Sequence, residues 1–541
     1  RDSMPERLAR WTAVACALHA FGLYALIFAL LVLRPAQLLA DLQPHAPPAG
    51  TSVACAVTAS VLYSDRVVLP SGVAPALVHV DDGAIIHVEQ AAPEAAAAYA
   101  RARGLRFEDF RGEAISPGLI DVHVHVSAVG GRGWEGYATA TKAAAAGGIT
   151  SIVGMPLNSL PPTVSVDALE AEVAKAAAEG LHCDVGLWGG VVPSSLGSLQ
   201  PLLADERVLG LKAFLSPLPR SAGYEAVHPD ELRTAAKAAA SAAVPLLVHC
   251  ELMTTAEMEA LQPDTTADPN ASRRFATFLA TRPPLFERRA IEALVGLVEE
   301  IPSLRAHVVH LSDAGSLPLL RQAKQASGGR LSVETCPHYL VFSAEEVPDG
   351  ETRLKCLPPI RGAANREGLW AGLSDGIVDL IASDHSPCAP ELRALSSGDF
   401  LTAWAGISGL QSSLQATWTA AASRGWSLTN LSHWWSEGPA RLAGLTARKG
   451  RIAAGMDADL VVWSPEAPGV SDRLYTRHAG SPYAGRSGLL GRVRLTLVRG
   501  RRAFSADPES IEGPSHGPAC GMLLRRETEQ AIEASQISSS D

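Results

Sequence analysis

Pro117-Gly-Leu-Ile-Asp-Val-His-Val-His125 is the stretch on which the fold turns. A short apolar run closed by two histidines one residue apart suits a strand buried on both faces. Side chains alternate along a strand, so His123 and His125 share one face, about 7 Å apart along the backbone. Two imidazoles so placed can grip one metal ion; the other reading is a pair of buried, hydrogen-bonded histidines. Working outward, apolar runs at 119–126, 150–155, 184–188, 209–215, 245–250, 306–311, 331–335 and 378–383 are eight strand candidates. Helix-like segments such as 166–179 and 229–242 separate most of them. The alternation predicts an α/β fold, a (β/α)₈ barrel. An open doubly wound sheet competes, but no Gly-x-Gly-x-x-Gly follows the first strand.

The strand ends carry the chemistry. Lys212 follows Val208-Leu-Gly-Leu211, His249 closes the run begun at Pro245, His310 lies in His307-Val-Val-His-Leu-Ser-Asp313, and Asp384 lies in Asp379-Leu-Ile-Ala-Ser-Asp-His-Ser-Pro387. Taken singly, each has an ordinary alternative: a snorkelling lysine, a core histidine, a turn aspartate. Together, at the C-terminal mouth of a barrel, His123, His125, Lys212, His249, His310 and Asp384 make a two-metal hydrolytic centre. Neutral imidazole suits zinc and similar divalent ions. A neutral amine at Lys212 can take up CO₂ and become a carbamate (N6-carboxylysine), whose two oxygens can bridge two cations. That added negative charge lowers the cost of a partly buried cluster. Asp384 is then the catalytic proton carrier, taking a proton from the attacking water and passing it to a leaving nitrogen. His338 and His385 are placed to support the ligands from behind, or are plain loop hydrogen bonders. His307, three positions before His310, faces away. No serine or cysteine nucleophile with its own base is evident, so attack on a cyclic amide or imide fits.

The chain has 541 residues, 47% hydrophobic and 19% charged, enough for a barrel and an accessory domain. A net charge of -10 without basic runs gives no footing for a nucleic-acid partner. Eight cysteines in so long a chain do not make a disulfide framework; Cys250, Cys336 and Cys388 read as buried thiols. Residues 11–33 carry no Asp, Glu, Lys or Arg and are bracketed by Arg10 and Arg34. As a helix they would span about 35 Å, enough for a bilayer. They read as a signal anchor holding the chain to a membrane; a cleaved signal and a buried helix are the alternatives. Five segments follow: 1–53, the apolar segment and a Pro/Ala-rich linker; 54–116, the first part of a small β-domain; 117–445, the barrel; 446–507, the second part of the β-domain; and 508–541, a polar tail.

Several motifs resemble those of the amidohydrolase superfamily, in its cyclic-amidase branch, and most of all the allantoinases of plants and algae. They are Trp134-Glu-Gly, Met155-Pro-Leu-Asn-Ser159, Glu334-Thr-Cys-Pro-His-Tyr339, Lys355-Cys-Leu-Pro-Pro-Ile-Arg361, Ser383-Asp-His-Ser-Pro387 and Trp404-Ala-Gly-Ile-Ser-Gly-Leu-Gln411. The resemblance spans residues 54–505. It implies His123, His125 and Asp384 on one zinc-like ion, His249 and His310 on the other, and carboxylated Lys212 between them. It implies opening of the hydantoin ring of allantoin to allantoate, in the ureide route of purine breakdown. It further implies Asn158 and Arg361 as substrate contacts, a homo-oligomer such as a tetramer, and a place in the endoplasmic reticulum. Dihydroorotases carry an arginine two residues after the histidine pair for the substrate carboxylate; here that position is Ser127, which favours a neutral ureide. Gly154, where allantoinases have an acidic residue, and the displaced Arg132 are departures. A dihydropyrimidinase- or hydantoinase-like cyclic amidase and a catalytically inactive scaffold are the competing functions.

Overall fold

Two sheets carry the fold of the computed structural model, which describes residues 55, 57, 59–90, 93–218, 222–268, 270–469, 473–506 and 513–526. The first is assembled from both flanks of the chain. Its strands are β1 (Ser60–Leu69), β2 (Gly72–Asp81), β3 (Ala84–Glu89), β4 (Arg106–Asp109) and β5 (Ala114–Pro117). The second is the barrel: β6 (Leu119–Val124), β7 (Ile149–Gly154), β8 (Asp184–Gly190), β9 (Val208–Phe214), β10 (Pro245–His249), β11 (Arg305–Val308), β12 (Leu331–Thr335) and β13 (Leu380–Ile381). β14 (Leu460–Pro468), β15 (Leu490–Val498), β16 (Arg501–Ser505) and β17 (Ser515–His516) return to the first sheet. There the order is β17-β16-β15-β14-β5-β1-β2-β3, with β4 added to β1, so the flanks meet where β14 pairs antiparallel with β5.

β6 to β13 lie side by side in sequence order, every pairing parallel. The seam between β13 and β6 closes through a parallel bridge of Val124 with His385, in which the His125 amide donates to the His385 carbonyl at 2.8 Å. The expected (β/α)₈ barrel is therefore present. The apolar side chains of its strands divide between two buried clusters, as strands covered on both faces require. Ile120, Val153, Trp188, Leu209, Leu247 and Leu380, from six strands, meet in one buried cluster, a meeting available only inside the barrel. Leu211, Leu246 and Val308 instead join a larger cluster with Ala176, Leu232, Leu294 and Leu320 of the surrounding helices.

The helices start where sequence chemistry places them. The helix Val166–Glu179 is capped by Ser165, whose hydroxyl accepts from the Ala168 amide at 3.2 Å, with Asp167 in the first turn. At the junction of the two sheets, Gly118 is a steric necessity: a Cβ there would lie 2.2 Å from the Thr150 hydroxyl oxygen.

Two expectations need correction. Residues 513–526 are not part of a free polar tail: β17 pairs with β16, Leu523 bridges Val185, and Leu524 is buried. The cysteines also hold a disulfide, Cys55–Cys520, across 465 residues of sequence. Cys250, Cys336 and Cys388 are buried thiols, as are Cys183 and Cys356. No described helix is long and apolar enough to cross a membrane; the apolar run at 11–33 lies outside the described residues.

Candidate metal centre and cleft

All six chemistry-bearing residues converge. His123 is in β6 and Lys212 in β9, His249 ends β10, and His125, His310 and Asp384 lie within three residues of the ends of β6, β11 and β13. Five of them line a cleft of about 610 Å³ with Asn158, Arg282, Lys355, Trp134 and Trp404; Lys212 lies beneath it, fully buried. His310 and Asp384 have φ of 37° and 44°, and Asn158 has 71°. Side-chain-bearing residues pay about 1–3 kcal/mol for such conformations, a cost that collects at functional sites.

On one side, Nε2 of His123 and Nε2 of His125 each stand 3.3 Å from Oδ1 of Asp384, and His123, His310 and Asp384 offer ligand atoms within 4.8 Å of one another. Two ligands about 2.0–2.1 Å from a tetrahedral ion stand roughly 3.3 Å apart, so the spacing suits one ion. On the other side, Nδ1 of His249 faces Nε2 of His310 at 2.9 Å, while Nε2 of His249 donates to Glu251 at 3.0 Å. Lys212 Nζ is in electrostatic reach of His125, His249 and His310, with no hydrogen-bond partner among the described residues and 4.8 Å from the Phe214 ring centre. An unpaired buried ammonium is costly. Burial accordingly pushes Lys212 down to about 8, against the pull of Glu334 and Asp384. Two facing imidazole nitrogens and an orphaned amine are the donor set that divalent ions and a carbamate would satisfy.

Electrostatics favour the ligand form of His125, His249, His310 and Asp384. Burial holds His125, His249 and His310 below the usual imidazole range, so they are neutral near pH 7. Burial pushes the Asp384 carboxyl up, but His123, His125 and His310 outweigh it and hold it well below the usual carboxylate range. Its Oδ1 also accepts the Ser386 hydroxyl at 2.9 Å.

The supporting groups sort less simply than expected. His385 Nε2 meets Glu135 at 3.2 Å. His338 is buried near Asp384 with neither ring nitrogen partnered among the described residues, and burial lowers it to about 4. His307 does point away from the cleft, to Ser332 and Glu334. Asn158 lines the cleft as expected, but Arg361 does not: its guanidinium donates to Glu287 at 3.2 Å and to the Arg282 carbonyl at 3.2 Å. Glu251 and Glu334, which the sequence reading passed over, hold the ring nitrogens of His249 and His123. For Glu251 the signal was available, since a carboxylate two residues after a strand histidine shares its face. The cations of the cleft wall are committed: Arg132 to the Ala222 carbonyl, Lys355 to those of Leu401 and Ala403, and Arg282 to Ser216 and Glu251. Gly154 has room for a Cβ, with Leu187 at 3.4 Å.

The profile of the Amidohydrolase family matches residues 114–489. An allantoinase of Arabidopsis thaliana is 42% identical over 477 residues, covering 85% of this chain and 90% of its own length. One from Streptomyces avermitilis is 44% identical, covering 86% and 98%, and one from Saccharomyces cerevisiae 37%, covering 76% and 86%. Among solved structures, the L-hydantoinase (dihydropyrimidinase) of Arthrobacter aurescens superposes with a TM-score of 0.74 at 27% identity, over 87% of this chain and all of that one.

Proposed function

The chain belongs to the amidohydrolase family, in its allantoinase branch, and from that premise we propose that its six converging side chains hold two divalent ions and open the hydantoin ring of allantoin to allantoate. His123, His125 and Asp384 would hold one ion, His249 and His310 the other, with Lys212 as a carbamate between them. Zinc suits this mixture of imidazole, carboxylate and carbamate oxygen. When bound, such ions acidify a water to near neutrality and polarise the carbonyl it attacks. The chain's own residues do the rest. Asp384 accepts the proton of the attacking water and passes it to the ring nitrogen as the carbon–nitrogen bond breaks, leaving a carboxylate and a free ureido group. Ser386 holds one Asp384 oxygen, so we assign the proton to the other. Asn158 reaches the cleft from a loop and is suited to hydrogen-bond a ureide.

The observation that carries this reading is Lys212: a fully buried amine, unpartnered among the described residues, in electrostatic reach of His125, His249, His310 and Asp384. A neutral ureide is favoured over dihydroorotate because Ser127 stands where a carboxylate-binding arginine would, and each cation of the cleft wall already has a partner. Metal content and allantoin turnover of wild type and Lys212→Ala test it. Two ions per chain and turnover are expected of the wild type, with loss of at least a hundredfold in the variant and partial return with added short carboxylates. Near-native turnover of the variant without such rescue, or faster wild-type turnover of dihydrouracil than of allantoin, overturns the corresponding part.

We further propose that the chain works in the lumen of the endoplasmic reticulum. The apolar run at 11–33 and the Cys55–Cys520 disulfide, which an oxidising compartment sustains, both support this. Protease protection of the full chain in intact microsomes is the expected result; digestion there would refute it.

A further inference from the structure

One buried carboxylate touches both halves of the centre without lining the cleft. Glu334 sits in β12 with no exposed surface. Its Oε1 accepts from Nδ1 of His123 at 2.5 Å and from the backbone amide of His310 at 3.1 Å. Its Oε2 accepts from Nε2 of His307 at 3.0 Å, and His307 Nδ1 meets the Ser332 hydroxyl at 2.8 Å. Three donors thus converge on one side chain. The bond to His123 fixes that ring's tautomer: with hydrogen on Nδ1, the lone pair is on Nε2, the nitrogen that faces Asp384. The bond to His310 holds a backbone whose φ of 37° an L-residue seldom adopts unaided. The same carboxylate also spans the barrel's weakest place, since β12 and β6 are separated by two-residue β13 and the seam there is a single bridge.

We propose that Glu334, backed by His307 and Ser332, is the positioning residue that sets the ring of His123 for one ion and the backbone of His310 for the other. This rests on the two-ion reading above. The acid is needed for its acceptor count. A glutamine offers one acceptor oxygen in place of two and turns an NH₂ toward donors that the carboxylate satisfies. Supports of this kind are worth roughly ten- to a hundredfold in metal affinity.

The test uses the full chain, stripped with chelator and titrated with Co²⁺ against a competing chelator, with the visible cobalt spectrum and thermal midpoint recorded together. Wild type is expected to bind two ions. Glu334→Gln is expected to bind them about ten- to a hundredfold more weakly, with a changed cobalt spectrum. His307→Asn keeps the carboxylate and removes its backing; a drop of about threefold to tenfold is expected, with a spectrum shifted the same way. If Glu334→Gln does not fold, His307→Asn carries the decision. Wild-type affinity and spectrum in whichever variants fold, even with a lowered thermal midpoint, would make Glu334 merely structural and overturn the proposal alone. A wild type that takes up no Co²⁺ overturns the two-ion reading and this proposal together.

Discussion

Asp384 combines two demands that usually conflict. The proposed reaction requires it to stay ionised in a buried place and still accept a proton. Its three histidine neighbours meet the first demand, and a carboxylate's second oxygen meets the other. Removing the exchangeable proton site while keeping the shape, in protein whose bound metal is measured, tests that role. Asp384→Asn should lower kcat for allantoin by about 10²- to 10⁴-fold. A steady-state assay on metal-loaded protein checks this, and a variant within a factor of three of wild type would refute the assignment. Arg361 belongs at this scale as well. Because its guanidinium is spent on Glu287, Arg361→Lys should disturb the packing under the cleft more than KM, and melting curves recorded beside kinetics distinguish the two. Burial pushes Glu287 up to about 7 even with Arg361 beside it, so that pairing is what keeps an awkward acid tolerable.

At the scale of elements, the barrel strands serve as rulers. β6, β9, β10, β11 and β13 each end within three residues of one of the six converging side chains, while their apolar side chains fill the barrel or receive helices. Both sheets share the short turn around Gly118, whose amide donates to the Asp459 carbonyl at 2.8 Å. Gly118→Ala forces a methyl into Thr150, so β5 and β6 cannot keep their present approach. We expect a loss of about 1–3 kcal/mol, read as a lowered denaturant midpoint. A pairing Thr150→Ser substitution, which removes a methyl at the clash, should return part of it. Unchanged stability of Gly118→Ala alone would mean that the junction is slack.

At the scale of the whole molecule, segments far apart in sequence meet at Asp184, the first residue of β8. Asp184 of β8 meets Lys449 at 2.8 Å and the Arg499 guanidinium, and it accepts the Met522 amide at 2.9 Å; Lys449 also meets Asp459 at 2.6 Å. Asp184, Asp457 and Asp459 have metal-like spacing, but the Lys449 ammonium already stands among them. Burial would raise the Asp184 carboxyl; Lys449 and Arg499 overcome it and bring it from 3.8 to about 2. A depressed acid gives stability that is present above its unfolded pKa and lost as pH falls through the folded one. Stability against unfolding should therefore fall as the pH is lowered from about 4 to about 2. Asp184→Asn should be destabilised near pH 7 by about 3–5 kcal/mol, because it leaves the buried Arg499 guanidinium without its carboxylate and takes one of three from Lys449. It should also lack that part of the acid limb, and an unaltered limb would show that the cluster is not responsible. Separately, Cys520→Ser should lower stability by about 2–5 kcal/mol and expose residues 513–526 to proteolysis, with kcat unchanged.

By itself the sequence determined the barrel, the six converging side chains and the split β-domain. These rest on local rules: parity along a strand, the alternation of strand and helix, and the tendency of strand ends to carry polar groups. Buried runs such as 208–214 read the same in isolation as in the fold. Tertiary structure alone decided what depends on partners distant in sequence. A separation of 211 positions between His123 and Glu334 hides their contact, and one of 465 between Cys55 and Cys520 hides their bond. Arg361, carried into the cleft by its motif, was claimed by a buried acid 74 residues away. A side chain's choice among competing partners is an energy difference over the whole packed interior, and no window of sequence contains all the competitors.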